Sequence, residues 1–93
     1  DCAEVVFSGH AIRWMFERAL GRDAILEIVH AGEVTAEYPG DTPYHSYLLL
    51  GFVSGEPVHV VAAREAVTRR CFVVTAYRPD PAKWSDDFRS RRP

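Results

Sequence analysis

The sequence predicts an α+β domain in which two helices pack on one face of an antiparallel sheet, in the order β-α-α-β-β-β-β. Three observations predict it. Apolar residues recur at helical spacing between Phe7 and Val29 and then switch, from Glu33 onward, to short runs rich in β-branched and aromatic side chains. Brief turn-forming connections join those runs, which favours a meander of strands paired with their neighbours in sequence. The segment Cys71–Ala76 (CFVVTA) carries no charge and reads as an interior strand covered on both faces, around which the other strands must assemble.

Each element has a local reason. Glu4–Phe7 opens the chain as a short strand or extended arm, and Ser8 offers a side-chain oxygen to cap a helix. That helix is predicted from Gly9 to about Leu20, with Phe7, Ala11, Met15 and Ala19 on one stripe and Trp14 beside it. Gly21 is expected to end it in the left-handed conformation. Asp23 favours the first turn of a second helix, Ile25, Ile28 and Val29 supply its apolar stripe, and Gly32 is expected to end it in the same way. Val34–Tyr38 reads as a strand closed by the turn residues Pro39–Asp41, with a loop through Pro43. Tyr47–Val53 and Val58–Ala63 form a hairpin across Ser54–Pro57, and the polar turn Glu65–Arg70 feeds the last strand. Pro79 and Pro81 withdraw backbone donors, so the ladder stops near Tyr77.

A chain of 93 residues, 47% hydrophobic and 26% charged, makes one globular domain spanning 1–93, with its core in 4–84 and a basic tail in 85–93. No apolar segment is long enough to cross a bilayer and no basic-then-apolar leader opens the sequence, so the expected location is cytoplasmic, although a start at Asp1 leaves a trimmed leader open. The net charge of −2 conceals an asymmetry: residues 1–63 hold three arginines against nine acids, and residues 64–93 hold eight basic residues against four acids, giving −6 and +4. The basic end suits a polyanion or an acidic partner, or is a solvated tail at Arg89, Arg91 and Arg92. Cys71, inside an apolar run, reads as a small buried hydrophobe, while a disulfide to the distant Cys2 is a question for geometry.

Several side chains could carry chemistry. His10, Arg13 and Glu17 share one face of the first helix, which places an imidazole, a cation and a carboxylate together or makes an ordinary surface cluster. His59 interrupts an apolar strand and faces away from Val58 and Val60, so it is either a catalytic group on a wet side or a core histidine with a partner. Tyr77 and Arg78 are held at the end of the central strand, where a reactive pair could be positioned. His45 is expected in a solvent-facing loop, and His30 near a helix C-terminus, where the dipole favours it. No histidine spacing suggests a metal site and no glycine-rich phosphate loop occurs, so neither metal nor cofactor is expected.

Four segments, Phe7–Arg18 (FSGHAIRWMFER), Tyr47–Gly51 (YLLLG), His59–Val61 (HVV) and Thr75–Asp80 (TAYRPD) followed by Trp84, occur in an order that resembles the family catalogued as domain of unknown function 4258. The resemblance runs from Val6 to Trp84. That family is similar in layout to BrnT and, more distantly, to the RelE and ParE toxins. The resemblance therefore implies a toxin-like fold, a type II toxin–antitoxin system, and a small zinc-finger or helix-turn-helix antitoxin as partner. It also implies metal-independent RNA cleavage, with His10 or His59 as base or acid, Tyr77 as a positioned hydroxyl, Arg13 and Arg78 on phosphate, and Glu17 orienting Arg13 or His10. A non-catalytic interaction module of the same fold is the alternative, and a small-molecule enzyme of another class is a third. Convergence of His10, Arg13, His59 and Tyr77 or Arg78 on one concave site separates the first reading from the second.

Overall fold

The computed structural model of the chain describes residues 2–93. Its elements are β1 (Glu4–Val6), α1 (Gly9–Glu17), α2 (Arg22–Ala31), β2 (Glu33–Tyr38), β3 (His45–Val53), β4 (Glu56–Arg64) and β5 (Arg70–Tyr77). The strands form one five-stranded sheet in the order β1-β5-β4-β3-β2. β2 to β5 make the expected antiparallel meander, but the sheet is mixed, because β1 joins β5 in parallel through Glu4, Val5 and Val6. The antiparallel expectation failed at this strand: β1 leads into both helices, and after β2, β3 and β4 the chain comes back beside it at β5 running the same way, so its partner is the last strand and not a neighbour in sequence. β5 thereby lies inside the sheet.

Both helices cover the same face. Ala11, Trp14 and Met15 of α1 and Ile25, Ile28 and Val29 of α2 share a core with Leu49, Val58, Val60, Ala62, Val73 and Ala76. Alternation fixes which strand residues reach it. Val58, Val60 and Ala62 point toward the helices, so His59, Val61 and Ala63 point to the other face. α2 approaches β3 very closely: a Cβ on Gly51 would stand 2.5 Å from Ile28 Cγ1, and one on Gly32 would stand 2.6 Å from the Ile28 carbonyl oxygen.

The helix ends differ from expectation. Ser8 caps α1 as anticipated, its Oγ accepting from the Ala11 N–H at 3.0 Å. The helix stops at Glu17, short of Leu20, in a Schellman motif: the Ala19 N–H bonds Phe16 O and the Leu20 N–H bonds Met15 O, with Ala19 itself at φ 53°. Leu20 then tucks back to 3% exposure. Gly21 is not the left-handed residue but the extended N-cap of α2 (φ −74°), and Gly32 at φ −68° is likewise extended, needed for the close approach to Ile28 and not for a positive φ. The β3–β4 hairpin has both central residues, Ser54 and Gly55, at positive φ (51° and 82°), the turn whose twist matches paired strands. His45, expected in a loop, opens β3 and bonds Glu37 at 3.1 Å.

Two further features tie the ends of the chain down. Cys71 is not a free buried thiol: it forms a disulfide with Cys2, with Cα atoms 5.6 Å apart, which clamps the segment before β1 onto β5. Residues 78–93 fold as a strap over the face opposite the helices. The Arg92 N–H bonds Lys83 O, Trp84 bridges to Arg91, and Arg89 forks onto Glu33 with two contacts of 2.8 Å. The C-terminal arginines therefore stay accessible but are fixed in place. Among the described residues no helix is long and apolar enough to cross a membrane.

Candidate functional site

The strap covers a polar pair that the strand pattern places on one face. His59 of β4 and Tyr77 of β5 are directly opposed in register, and the imidazole has no exposed surface. Its Nε2 lies 2.8 Å from the Phe88 carbonyl, which can only accept, so Nε2 carries the proton. Nδ1 is then a lone pair, and the Tyr77 hydroxyl donates to it at 3.3 Å. Trp84, 7% exposed, closes the imidazole edge-on at 4.4 Å between ring centroids. The result is a line of three groups: a partly exposed phenol, a buried base, and a carbonyl that orients the base.

Burial sets the protonation of both ends. Desolvation pushes the His59 imidazolium pKa below its ordinary value, and the hydrogen bond to the Phe88 carbonyl opposes this only in part. The imidazole is therefore neutral at pH 7. Burial, reinforced by Tyr38 nearby, raises the Tyr77 phenol, while the Arg91 charge pulls it the other way. Tyr77 therefore remains a protonated hydroxyl at neutral pH.

The other predicted residues do not gather here. His10, Arg13 and Glu17 are exposed on α1, on the helix-covered side of the sheet, and no hydrogen bond or ion pair engages them among the described residues. Arg78 follows Tyr77 but turns toward α1, donating to Arg18 O at 2.6 Å and Ala19 O at 3.3 Å and lying 3.5 Å from Glu56. It thus caps the carbonyl end of the helix, where a cation is favoured by the dipole. The six residues do not converge: the sheet stands between the α1 trio and the His59–Tyr77 pair, and Arg78 belongs to neither. Sequence reasoning missed Phe88, Arg91 and Tyr38. Alternation could have placed Tyr38 on the His59 face, but nothing local marks Phe88 as a partner.

A cleft of about 460 Å3 lies on the opposite side of the sheet from His59. Leu49 and Ala62 are among its apolar walls, Tyr47 and Arg64 line it, and the Cys2–Cys71 disulfide borders it. No group of three or more His, Cys, Asp or Glu side chains is placed to hold a metal among the described residues.

No curated protein and no solved structure matches the chain. A family model described as a domain of unknown function (DUF4258) matches residues 7–78, which takes in α1, the whole meander, His59, Tyr77 and Arg78, and the chain belongs to that family.

Proposed function

We propose that this domain is a toxin-like, metal-independent RNA endonuclease of RelE/BrnT type, neutralised by a small zinc-finger or helix-turn-helix antitoxin. The observation that carries the reading is the Tyr77–His59–Phe88 line. A hydroxyl within reach of a neutral base, itself oriented by a third group, is the arrangement that proton transfer requires. In this reading the Tyr77 oxygen takes the proton of a ribose 2′-hydroxyl as its own proton passes to His59 Nδ1. The 2′-oxygen then attacks the adjacent phosphorus, the bond to the 5′-oxygen breaks, and water protonates that oxygen, the hydroxide so formed taking back through Tyr77 the proton held on His59. In this reading Arg91, stacked on Trp84 beside the His59 ring, supplies the cation that opposes the negative charge developing on phosphate. RNA is met in the cytoplasm, where thiols are kept reduced, so the reading also holds that the chain works there without its disulfide.

The test is cleavage of single-stranded RNA by the purified chain in the presence of EDTA, alone and with ribosomes, with products ending in 2′,3′-cyclic phosphate. Tyr77→Phe should lower the rate about 10²-fold while leaving the fold in place. A wild-type chain that cuts nothing, or a Tyr77→Phe variant as fast as wild type, ends this reading.

The second reading is a non-catalytic interaction module. What favours it is the separation of the α1 trio from His59 and Tyr77, together with the use of Arg78 as a helix cap. Under it, His59 serves only to lock the strap, and an antitoxin-like partner would bind equally well to Tyr77→Phe.

A further inference from the structure

The strap face carries more aromatic surface than the His59–Tyr77 pair uses. One cross-strand row runs from Tyr38 of β2 through Ser46 and Ala63 to Phe72 of β5. The middle of the row is small, with Ser46 at 3% and Ala63 at 8% exposure, and the ends are aromatic, so the face is a shallow trough. Tyr44, from the loop before β3, stacks on Phe72, with centroids 5.5 Å apart and planes within 12°. The Arg70 guanidinium lies 5.7 Å from the Phe72 ring and also contacts Glu4. Further along the same face, Tyr77 and Trp84 each meet the His59 ring edge-on, and the Arg91 guanidinium lies 5.4 Å from the Trp84 ring centroid, with no carboxylate partner among the described residues.

We propose that the trough of Tyr38, Tyr44, Phe72 and Tyr77, edged by Arg70 and Arg91, binds single-stranded nucleic acid by stacking unpaired bases on its rings. Rings that are neither fully buried nor scattered, next to cations drawn from residues 64–93 with their +4 balance, are what a single strand needs. The bases supply π-faces to the tyrosines and Phe72, and the phosphates find Arg70 and Arg91. A duplex hides its bases and would be excluded, and an acidic peptide would match the cations but not the rings. The inference rests on the proposed nuclease reading for the identity of its ligand, but binding and cleavage are separable. Base stacking would lay a strand across Tyr77, which deepens that reading by selecting unpaired RNA as substrate. The acids on the strap do not oppose it, because Asp86 and Asp87 are tied to Arg92 and Arg89.

The experiment measures fluorescence anisotropy of the full chain with a labelled deoxythymidylate oligomer of about twelve nucleotides, which lacks the 2′-hydroxyl and cannot be cut by the proposed route. An abasic oligomer of equal length and charge is the control. The normal oligomer should bind at least tenfold more tightly than the abasic one. Tyr44→Leu and Phe72→Leu, which keep apolar volume but remove a ring, should each weaken the normal oligomer about 5- to 100-fold and leave the abasic one unchanged, while Phe72→Tyr retains binding. Arg91→Ala should weaken both oligomers and lower the salt slope by about one. Equal affinity for the two oligomers, or no binding by the wild-type chain, overturns the stacking site. A chain that discriminates the oligomers but never cuts RNA keeps this site and loses the nuclease.

Discussion

His59 makes the fold pH-sensitive in a window of its own. The imidazole is fully buried and neutral, and its pKa is depressed below the unfolded value by desolvation. As the pH falls below about 6.5, the unfolded chain takes up a proton at this residue while the folded chain resists it, so stability present above that pH is lost as the pH drops through the folded pKa. While the two states differ by one proton the loss is about 1.4 kcal/mol per pH unit. His59→Phe keeps the ring volume and removes the titration. It leaves the Phe88 carbonyl without its donor, which costs about 1–3 kcal/mol at neutral pH. Urea melts between pH 8 and pH 5 would compare the two proteins. The other three histidines are common to both, and the carboxylates stay ionised over most of this range, so the difference between the curves isolates His59. The wild type should lose stability toward pH 5 while the variant's curve stays flatter, the two converging. Parallel curves would refute the argument, because they would mean that the buried imidazole takes up its proton as readily folded as unfolded.

Three other expectations concern the scaffold. Ala19→Gly should raise stability by about 0.5–1 kcal/mol in chemical melts, because an alanine holds the left-handed position that a Schellman motif favours for glycine. Reducing the disulfide, or replacing both cysteines by serine, should cost about 4 kcal/mol on the loop-closure model, since it opens a loop whose ends are 69 residues apart, read as a fall in Tm under reducing conditions. Gly51→Ala should cost about 1–3 kcal/mol through overlap with Ile28, and adding Ile28→Ala should cost less than the two single effects summed, measured in a double-mutant cycle.

What could be read in advance follows the range of the forces involved. The strands of the meander were legible because alternation and turn residues are local, and the end of β5 at Tyr77 was legible because Pro79 and Pro81 act on adjacent backbone. The α1 ending was not, since an alanine took the position expected of a glycine two residues later. β1 was recognisable as extended chain, but periodicity carries no information about which strand an arm will join. The facing of His59 opposite Val58 and Val60 followed from alternation, whereas its acceptor sits 29 residues away in a charged segment with no apolar period. The Arg89–Glu33 fork spans 56 residues and is equally silent in the sequence. The pairing of Cys2 with Cys71 also needed the three-dimensional placement of β1.

The same distinction decides where a partner can be tested. Charge asymmetry points an acidic partner at the basic end of the chain, and Arg78 and Lys83 would be the natural residues to reverse. The structure makes Arg78 a poor probe, because its guanidinium holds the carbonyl end of α1, and a glutamate there would place a negative charge against that end. Lost binding could then reflect a frayed helix. Lys83 differs: its side chain has no hydrogen bond or ion pair among the described residues, and Arg91 engages the Trp84 ring without a carboxylate. Reversing Lys83 and Arg91 to Glu should therefore leave the melting temperature of the free domain little changed. It should slow association with the proposed antitoxin and flatten the salt dependence of the on-rate, because rim charges act mainly on encounter. On-rates that are salt-independent and equal for wild type and double mutant would move the partner to the acidic residues 1–63.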